Sequence, residues 1–216
     1  MKPIVAAAVI LSALLADNVG GENNGKVVLT REMLLQAVTA ARNGDRLPLE
    51  TMQRAFGRSD RFIIPKDLLP VYVDLLKEEN PRVQRLGISG IVYFEATQSQ
   101  AALVDYLKAN NPRQLQERFE NATKDEREKN DREYSERMLN AALTVWALGE
   151  IGDASVIPLL ESLRGIEDMQ MEWVGNPVEK SIHRIKARQS ASDPPAKGTE
   201  EQHTFNTRLP PTRMPR

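Results

Sequence analysis

A ten-residue sequence occurs twice in this chain, 31 residues apart, and it constrains the fold more than any other feature. The copies are VDLLKEENPR at residues 73–82 and VDYLKANNPR at residues 104–113, and seven of the ten positions are identical. A shorter copy of the first half, LESLR, follows at residues 160–164. Similarity at a period of this size is typical of stacked helix pairs, in which each pair buries its apolar face against the next. The sequence therefore predicts a repeat architecture that offers binding surfaces rather than a reaction centre.

The first copy predicts a helix pair. Apolar residues at helical spacing indicate one helix near 68–76, and an Asn-Pro pair at 80–81 ends it, because proline lacks the amide hydrogen. The next helix, near 82–94, is apolar on almost every side, which predicts a position in the interior. Gly87 and Gly90 would allow a neighbouring helix to approach it closely.

Helices are predicted on both sides of this pair. We expect Thr30 to cap a helix that runs to Arg42, and a shorter helix to follow it, so that residues 30–64 form an N-terminal helical cap. Further helices near 99–109, 155–163 and 177–189 complete the pattern. The predicted fold class is all-α, a short α-solenoid of about three helix pairs over residues 65–189.

The second unit is longer than the first. From the proline of the first copy, Pro81, to the start of the second copy, Val104, is 23 residues. From the proline of the second copy, Pro112, to the start of the third, Leu160, is 48 residues. The extra segment, 113–137, has seven basic and eight acidic residues and no Gly or Pro, which predicts a long, charged helical insertion. Residues 121–125 are its weakest point for helix. A solvated arm, an arm for partner binding or self-association, and a partly disordered loop are the alternatives.

The two ends of the chain differ from its middle. Lys2 and an apolar run to Ala16 predict a signal peptide at 1–16, with an uncleaved anchor or a buried helix as alternatives. A flexible linker is predicted at 17–29, and a disordered tail at 190–216, where proline is frequent and large apolar residues are scarce. With no cysteine in the chain, these features predict an exported bacterial protein, periplasmic or secreted, with no stable membrane insertion after cleavage.

The string ALGEIGDASVIPLLESLR at 147–164 resembles the short HEAT-like repeats of the phycobilisome-lyase type, in the HEAT-repeat superfamily. The resemblance extends over about 65–188 and includes Asp153, Pro158 and the leucines. It implies an α-solenoid that serves as a scaffold, adaptor or protein-binding surface, and in the lyase branch it implies handling of a bilin and its carrier protein. The insertion and a long turn at 166–176 depart from the pattern, and no catalytic residue of the family maps onto this chain.

Few residues suggest chemistry, and we predict no catalytic, cofactor or metal site. His183 follows Glu179 by four residues, but one histidine cannot build a three-ligand metal site without more carboxylates. Asp153 is expected to cap the next helix rather than to act as an acid. Trp146 is predicted in the core, and Trp173 lies among methionines, where it would form a binding patch or a loop anchor.

The predicted partner-binding surface is a basic strip with one aromatic residue, on the helices that would line the inner curve of the solenoid. It comprises Arg82, Arg85, Ser89, Tyr93, Lys180 and Arg184. Such a strip suits an acidic protein partner, and the alternative is a solvated face. Nearly balanced charge, 29 basic against 30 acidic residues, argues against nucleic acid.

The sequence thus predicts a non-enzymatic, exported, protein-binding scaffold or adaptor. Lyase-like or chaperone-like handling of a tetrapyrrole-type ligand, and a self-assembling structural role, are the alternatives. The oligomeric state stays open.

Overall fold

The computed structural model describes residues 26–57, 61–169 and 175–192, and this part of the chain is mostly helical, as predicted. The helices are α1 (Arg31–Arg42), α2 (Leu47–Ala55), α3 (Leu69–Leu75), α4 (Pro81–Tyr93), α5 (Gln100–Ala109), α6 (Pro112–Glu120), α7 (Lys124–Ile151), α8 (Ile157–Ser162) and α9 (Pro177–Ser192). The strands are β1 (Val27–Val28) and β2 (Phe62–Ile63). The predicted signal peptide lies outside the described residues, and so does the predicted tail beyond the end of α9.

The repeated Asn-Pro pair begins a helix in both copies. The Asn80 Oδ1 accepts a hydrogen bond from the backbone N–H of Arg82 at 3.0 Å, and the Asn111 Oδ1 accepts one from Arg113 at 3.0 Å. In each case the proline occupies the first helical turn, where no backbone donor is needed. The helix boundaries predicted at these positions are confirmed.

Helix α4 is an interior helix, as its apolar character predicts. A Cβ atom at Gly87 would lie 2.6 Å from the carbonyl oxygen of Tyr72, and one at Gly90 would overlap the Tyr72 ring. Only glycine permits α3 and α4 to approach so closely. The predicted role of these two glycines is confirmed.

Helix α4 also lies between two apolar clusters. Val83 and Leu86 belong to the first cluster, together with residues of α1, α2, α3 and the segments around both strands. Ile88 and Ile91 belong to the second, together with residues of α5, α7, α8 and α9. The N-terminal helices therefore pack on the rest of the described fold through α4.

The predicted linker extends too far. Val27 and Val28 pair in parallel with Phe62 and Ile63, and the buried Leu29 donates its N–H to the Ile63 carbonyl at 2.9 Å. Residues 26–29 therefore belong to the folded N-terminal unit. A strand of two residues is too short to produce a recognisable alternation in the sequence.

The insertion is not one continuous helix, a question that its sequence left open. Helix α6 ends at Glu120, and Thr123 begins α7 with a capping box, in which its side chain and that of Glu126 each bind the other's backbone N–H. The Phe119 ring stacks on the Tyr134 ring with centroids 4.1 Å apart. The insertion therefore folds back as a helical hairpin, and its turn lies within the stretch that is weakest for helix.

Helix α7 is the central helix of the second apolar cluster. It contacts α4, α5, α6 and α9, and its buried residues begin at Met138. Its first ten residues, 124–133, are exposed, and we call this segment the arm. Within the described residues, none of the helices is long and apolar enough to cross a membrane.

Candidate binding groove

A groove of about 1180 Å³ lies between the N-terminal helices and α7. Its floor comprises the α3–α4 connection, the first turn of α4 and Glu136 of α7. Its charged lining comprises six basic side chains, Arg42, Arg46, Arg82, Lys129, Arg132 and Arg137, and four acidic ones, Glu78, Glu79, Glu133 and Glu136. The groove is therefore the place where the charged insertion faces the N-terminal helical cap.

One face of α7 supplies half of these charges. Lys129, Arg132, Glu133, Glu136 and Arg137 follow each other at intervals of three, one, three and one residues, which places them on one side of the helix. This spacing is visible in the sequence, but nothing there indicates which neighbour the charged face meets.

Glu136 forms the centre of the floor. It accepts hydrogen bonds from the Nε of Arg82 at 2.9 Å and from its Nη2 at 2.7 Å, and it is also paired with Arg85. Arg85 further donates to the Oδ1 of the buried Asn140 at 2.9 Å. These bonds connect the first turn of α4 to the middle of α7, so the floor is held by charge-assisted hydrogen bonds.

The electrostatics of the floor favour an ionised Glu136. The side chains of Arg82, Arg85 and Glu136 are 22%, 19% and 16% exposed. Burial tends to raise the pKa of Glu136, but the charges and hydrogen bonds of the two arginines together hold that pKa below its usual value. Arg82 also lies 3.9 Å from the carboxylate of Glu50 on α2, so two carboxylates are within ion-pair distance of the two guanidinium groups.

Two more ion pairs flank the floor. Arg42 of α1 pairs with Glu78, and Arg137 pairs with Glu133 at 2.8 Å within α7. Arg137 also donates to the Oδ1 of Asn110 at 3.3 Å. These contacts place three of the six basic side chains, including Arg82, in internal pairs.

The other three basic side chains are exposed on the two walls. Arg46 lies at the start of α2, and Lys129 and Arg132 lie on the arm. None of the three forms an ion pair with any residue that the structure describes. Glu128, one helical turn before Arg132, lies 3.8 Å from Lys124 instead.

The predicted basic strip is not a set of free cations, because Arg82, Arg85 and Arg184 already have acidic partners. Arg184 of α9 pairs with Glu150 of α7, and Lys180 is exposed on the same helix. These three arginines form ion pairs with partners 34 to 54 residues away in the sequence, and so they are less available to a ligand than the sequence suggests.

The other two residues of the strip differ from each other. Ser89 is half-buried. Tyr93 is 37% exposed, and its ring contacts those of Phe56 and Phe94 with centroids 5.4 and 5.2 Å away. Tyr93 therefore belongs mainly to an aromatic cluster where α2 and α4 meet.

The polar residues that could have suggested catalysis or metal binding are a helix cap, a buried packing residue and an exposed histidine. Asp153 accepts the backbone N–H of Ser155 at 2.8 Å, which confirms its capping role, and its hydrogen bonds with Ser155 and Gln100 lower its pKa. Ser181 is buried and donates to the Val145 carbonyl at 2.9 Å. His183 is exposed, and no group of three or more metal-binding side chains occurs among the described residues.

The structure describes one of the two tryptophans. Trp146 is half-buried and packs against the second apolar cluster, in line with its predicted place in the core. Trp173, for which a binding patch and a loop anchor were the alternatives, lies outside the described residues, as does Met171. Met169 itself is buried.

A second, smaller groove lies between α3 and α5, the two helices that carry the repeated sequence. It has a volume of about 300 Å³ and a mainly apolar lining that includes Val73, Leu76, Ala102 and Tyr106. It is open to solvent, and the groove beside α7 is several times larger.

Comparisons with known proteins identify no relative. No protein-family model matches the chain, and neither the search of curated proteins nor the search of solved structures finds a match.

Proposed function

We propose that this protein is a non-enzymatic, exported HEAT-repeat protein that acts as a protein-binding scaffold or adaptor, with the groove beside α7 as its binding surface. The observation that carries the proposal is the exposed, unpaired state of Arg46, Lys129 and Arg132 on opposite walls of that groove. Cations that face each other across a groove without internal partners are available to a ligand.

The packing of the helices supports a HEAT-like solenoid. Three pairs follow each other in the chain: α3 with α4, α5 with α7, and α8 with α9. The second members, α4, α7 and α9, pack side by side. This is the order that stacked helix pairs would have, with α6 as an addition that the repeat pattern lacks.

The floor supports binding because it is already held in place. Glu136 fixes Arg82 and Arg85, and Arg85 is held further by Asn140, so these side chains lose little freedom when a partner binds. Preorganised surfaces bind more tightly than mobile ones for that reason. The charged groups of the groove are arginine, lysine and glutamate, a set suited to electrostatic recognition.

The tetrapyrrole alternative would need a deep apolar pocket. Among the described residues, the mainly apolar groove between α3 and α5 has a volume of about 300 Å³ and is open to solvent. The larger groove is charged. These observations favour a protein partner over a tetrapyrrole.

A photo-crosslinking experiment tests the proposal. The photoreactive residue p-benzoylphenylalanine replaces Glu79, which is exposed and lines the groove, or Glu161, which is exposed on α8 away from it. The full-length protein is expressed in its native host and irradiated in the envelope fraction. We expect a discrete protein adduct at position 79 and not at position 161, and its loss when Arg46, Lys129 and Arg132 are all changed to Glu.

Three other outcomes would contradict the proposal. Equal adducts at both positions, or none at position 79, would refute the groove as a protein-binding surface. An adduct only with a second copy of the chain would favour the self-assembling alternative. Recovery of the protein from the cytoplasmic fraction alone would refute export.

A further inference from the structure

We infer that the groove beside α7 binds an acidic segment of its partner, one rich in Asp or Glu. This inference rests on the proposed function and specifies the chemistry of the partner at the same site. It follows from three observations on the described residues: the charge balance of the groove, the position of its unpaired cations, and the lack of aromatic side chains in its lining.

The charge balance is positive. Six basic and four acidic side chains line the groove. Arg85 behind the floor is offset by Glu50 of α2, whose carboxylate lies 3.9 Å from Arg82, so the excess of basic groups stays at two. The whole chain, in contrast, has a formal net charge of −1. The positive excess is therefore a local property of this groove.

The free cations can reach a ligand from two sides. Arg46 belongs to the N-terminal wall, whereas Lys129 and Arg132 are one helical turn apart on the arm. A segment with several carboxylates along its length could contact both walls at once. A guanidinium group binds a carboxylate through two parallel hydrogen bonds, and an ammonium group adds a third point of charge.

The lining also distinguishes an acidic protein segment from single-stranded nucleic acid, the other common polyanion. Proteins that bind single strands stack the bases on aromatic side chains. Among the residues that the structure describes, the groove lining contains no Phe, Tyr or Trp, and its apolar contacts come from small or aliphatic residues such as Ala41, Leu49 and Pro81. Carboxylates therefore fit the groove better than bases.

Fluorescence anisotropy with labelled poly-L-glutamate of about 20 residues tests this inference on the full-length protein. We expect binding that weakens several-fold when the salt concentration rises from about 0.05 to 0.5 M. The variant Arg46→Glu/Lys129→Glu/Arg132→Glu should bind about tenfold or more weakly, because three exposed charges are reversed. The matched control, Lys66→Glu/Lys108→Glu/Lys186→Glu, changes the net charge equally at exposed positions outside the groove and should bind as the wild type does.

A gain-of-binding variant separates recognition from folding. Glu136→Gln removes the carboxylate that competes for Arg82 and Arg85, so poly-L-glutamate should bind about threefold more tightly at low salt. A merely structural role for Glu136 would predict weaker binding or no change. Circular dichroism shows whether Glu136→Gln is folded. If Glu136→Gln does not fold, the triple variant of Arg46, Lys129 and Arg132 still tests the site.

The possible outcomes separate this inference from the proposed function. A groove adduct in the crosslinking experiment without poly-L-glutamate binding would overturn the acidic segment and leave the scaffold in place. Poly-L-glutamate binding without any protein adduct would support the acidic chemistry and refute the scaffold. Equal loss in the two triple variants, or tighter binding of heparin fragments or single-stranded DNA than of poly-L-glutamate, would overturn the inference.

Discussion

Ser181 of α9 packs directly onto Gly149 of α7. A Cβ atom at position 149 would lie 2.6 Å from the Ser181 Cβ and 2.8 Å from its Cα. The Ser181 hydroxyl donates to the Val145 carbonyl one turn earlier, at 2.9 Å. Two small residues thus set the separation of the helices, and the hydroxyl finds its partner in the neighbouring backbone.

The first prediction concerns this contact. Gly149→Ala should lower the free energy of unfolding by about 2 kcal/mol or more, because the added methyl group meets the backbone of α9 and the two helices must separate. Urea unfolding at neutral pH measures the change. The control is Gly57→Ala, whose Cβ would meet only the Arg54 carbonyl oxygen, at an ordinary 3.7 Å. An equal loss in both variants would contradict the argument.

The second prediction concerns acid. The pKa of Glu136 is lower in the folded protein than in the unfolded chain, where a glutamate titrates near pH 4.3. Its ion pairs therefore stabilise the protein fully above about pH 4.3, and this stabilisation is lost as the pH falls through the folded-state pKa. Between about pH 5 and 3, the free energy of unfolding should fall less steeply for Glu136→Gln than for the wild type.

The same variant should be less stable at pH 7. Glu136→Gln leaves two partly buried guanidinium groups with one acceptor fewer, at a cost of about 1–2 kcal/mol. Glu133→Gln is the control, since the Glu133 side chain is 59% exposed and its pair with Arg137 should contribute under about 1 kcal/mol. Urea unfolding at several pH values tests both statements: parallel curves for Glu136→Gln and the wild type would refute the pH dependence, and equal stability at pH 7 would refute the predicted loss.

A third prediction concerns the end of α4. Glu95 has a φ of +48°, and the N–H groups of Glu95 and Ala96 donate to the carbonyls of Val92 and Ile91, as in a Schellman motif. Glycine is favoured at this left-handed position because a Cβ atom is strained there. Glu95→Gly should therefore raise the free energy of unfolding by about 0.5–1 kcal/mol, as judged by the urea midpoint. Glu95→Ala keeps the strain and should not stabilise the protein.

A fourth prediction concerns the turn between α6 and α7. Thr123→Ala removes the hydroxyl that accepts the Glu126 N–H, and it should lower the free energy of unfolding by about 1 kcal/mol. Hydrogen exchange should be faster at the first amides of α7. Thr123→Ser keeps the hydroxyl and should restore most of the stability. Unchanged exchange in Thr123→Ala would show that the cap does not limit fraying of α7.

Local signals in the sequence predict the ends of most elements. Asn80 and Asn111 begin their helices through side chains that bond only two residues along the chain, and Gly87 and Gly90 reveal a close approach without identifying its partner, Tyr72. The strand at Val27–Val28 was missed because its partner lies 35 residues away, at Phe62–Ile63. The sequence marked residues 121–125 as weakest for helix but did not predict that the helix ends there. The charge pattern on both sides of Thr123 favours helix, and this obscured its role as a cap.

The groove beside α7 could be predicted less well than the ends of the helices. The periodic charges of α7 are visible in the sequence, and they indicate a polar helix face. Arg82 and Arg85 were assigned to a basic strip without their acidic partner, because Glu136 lies more than 50 residues from both of them. Arg46 carries no signal at all until α2 and the arm are seen on opposite walls.

Helix caps, prolines and apolar spacing depend on residues close together in the chain. The sequence by itself therefore predicts the helices and the interior position of α4. Ion pairs between distant elements depend on how those elements pack, and packing is a property of the whole chain. Tertiary structure alone therefore decided which arginines are neutralised by Glu136 and which cations remain exposed around the groove.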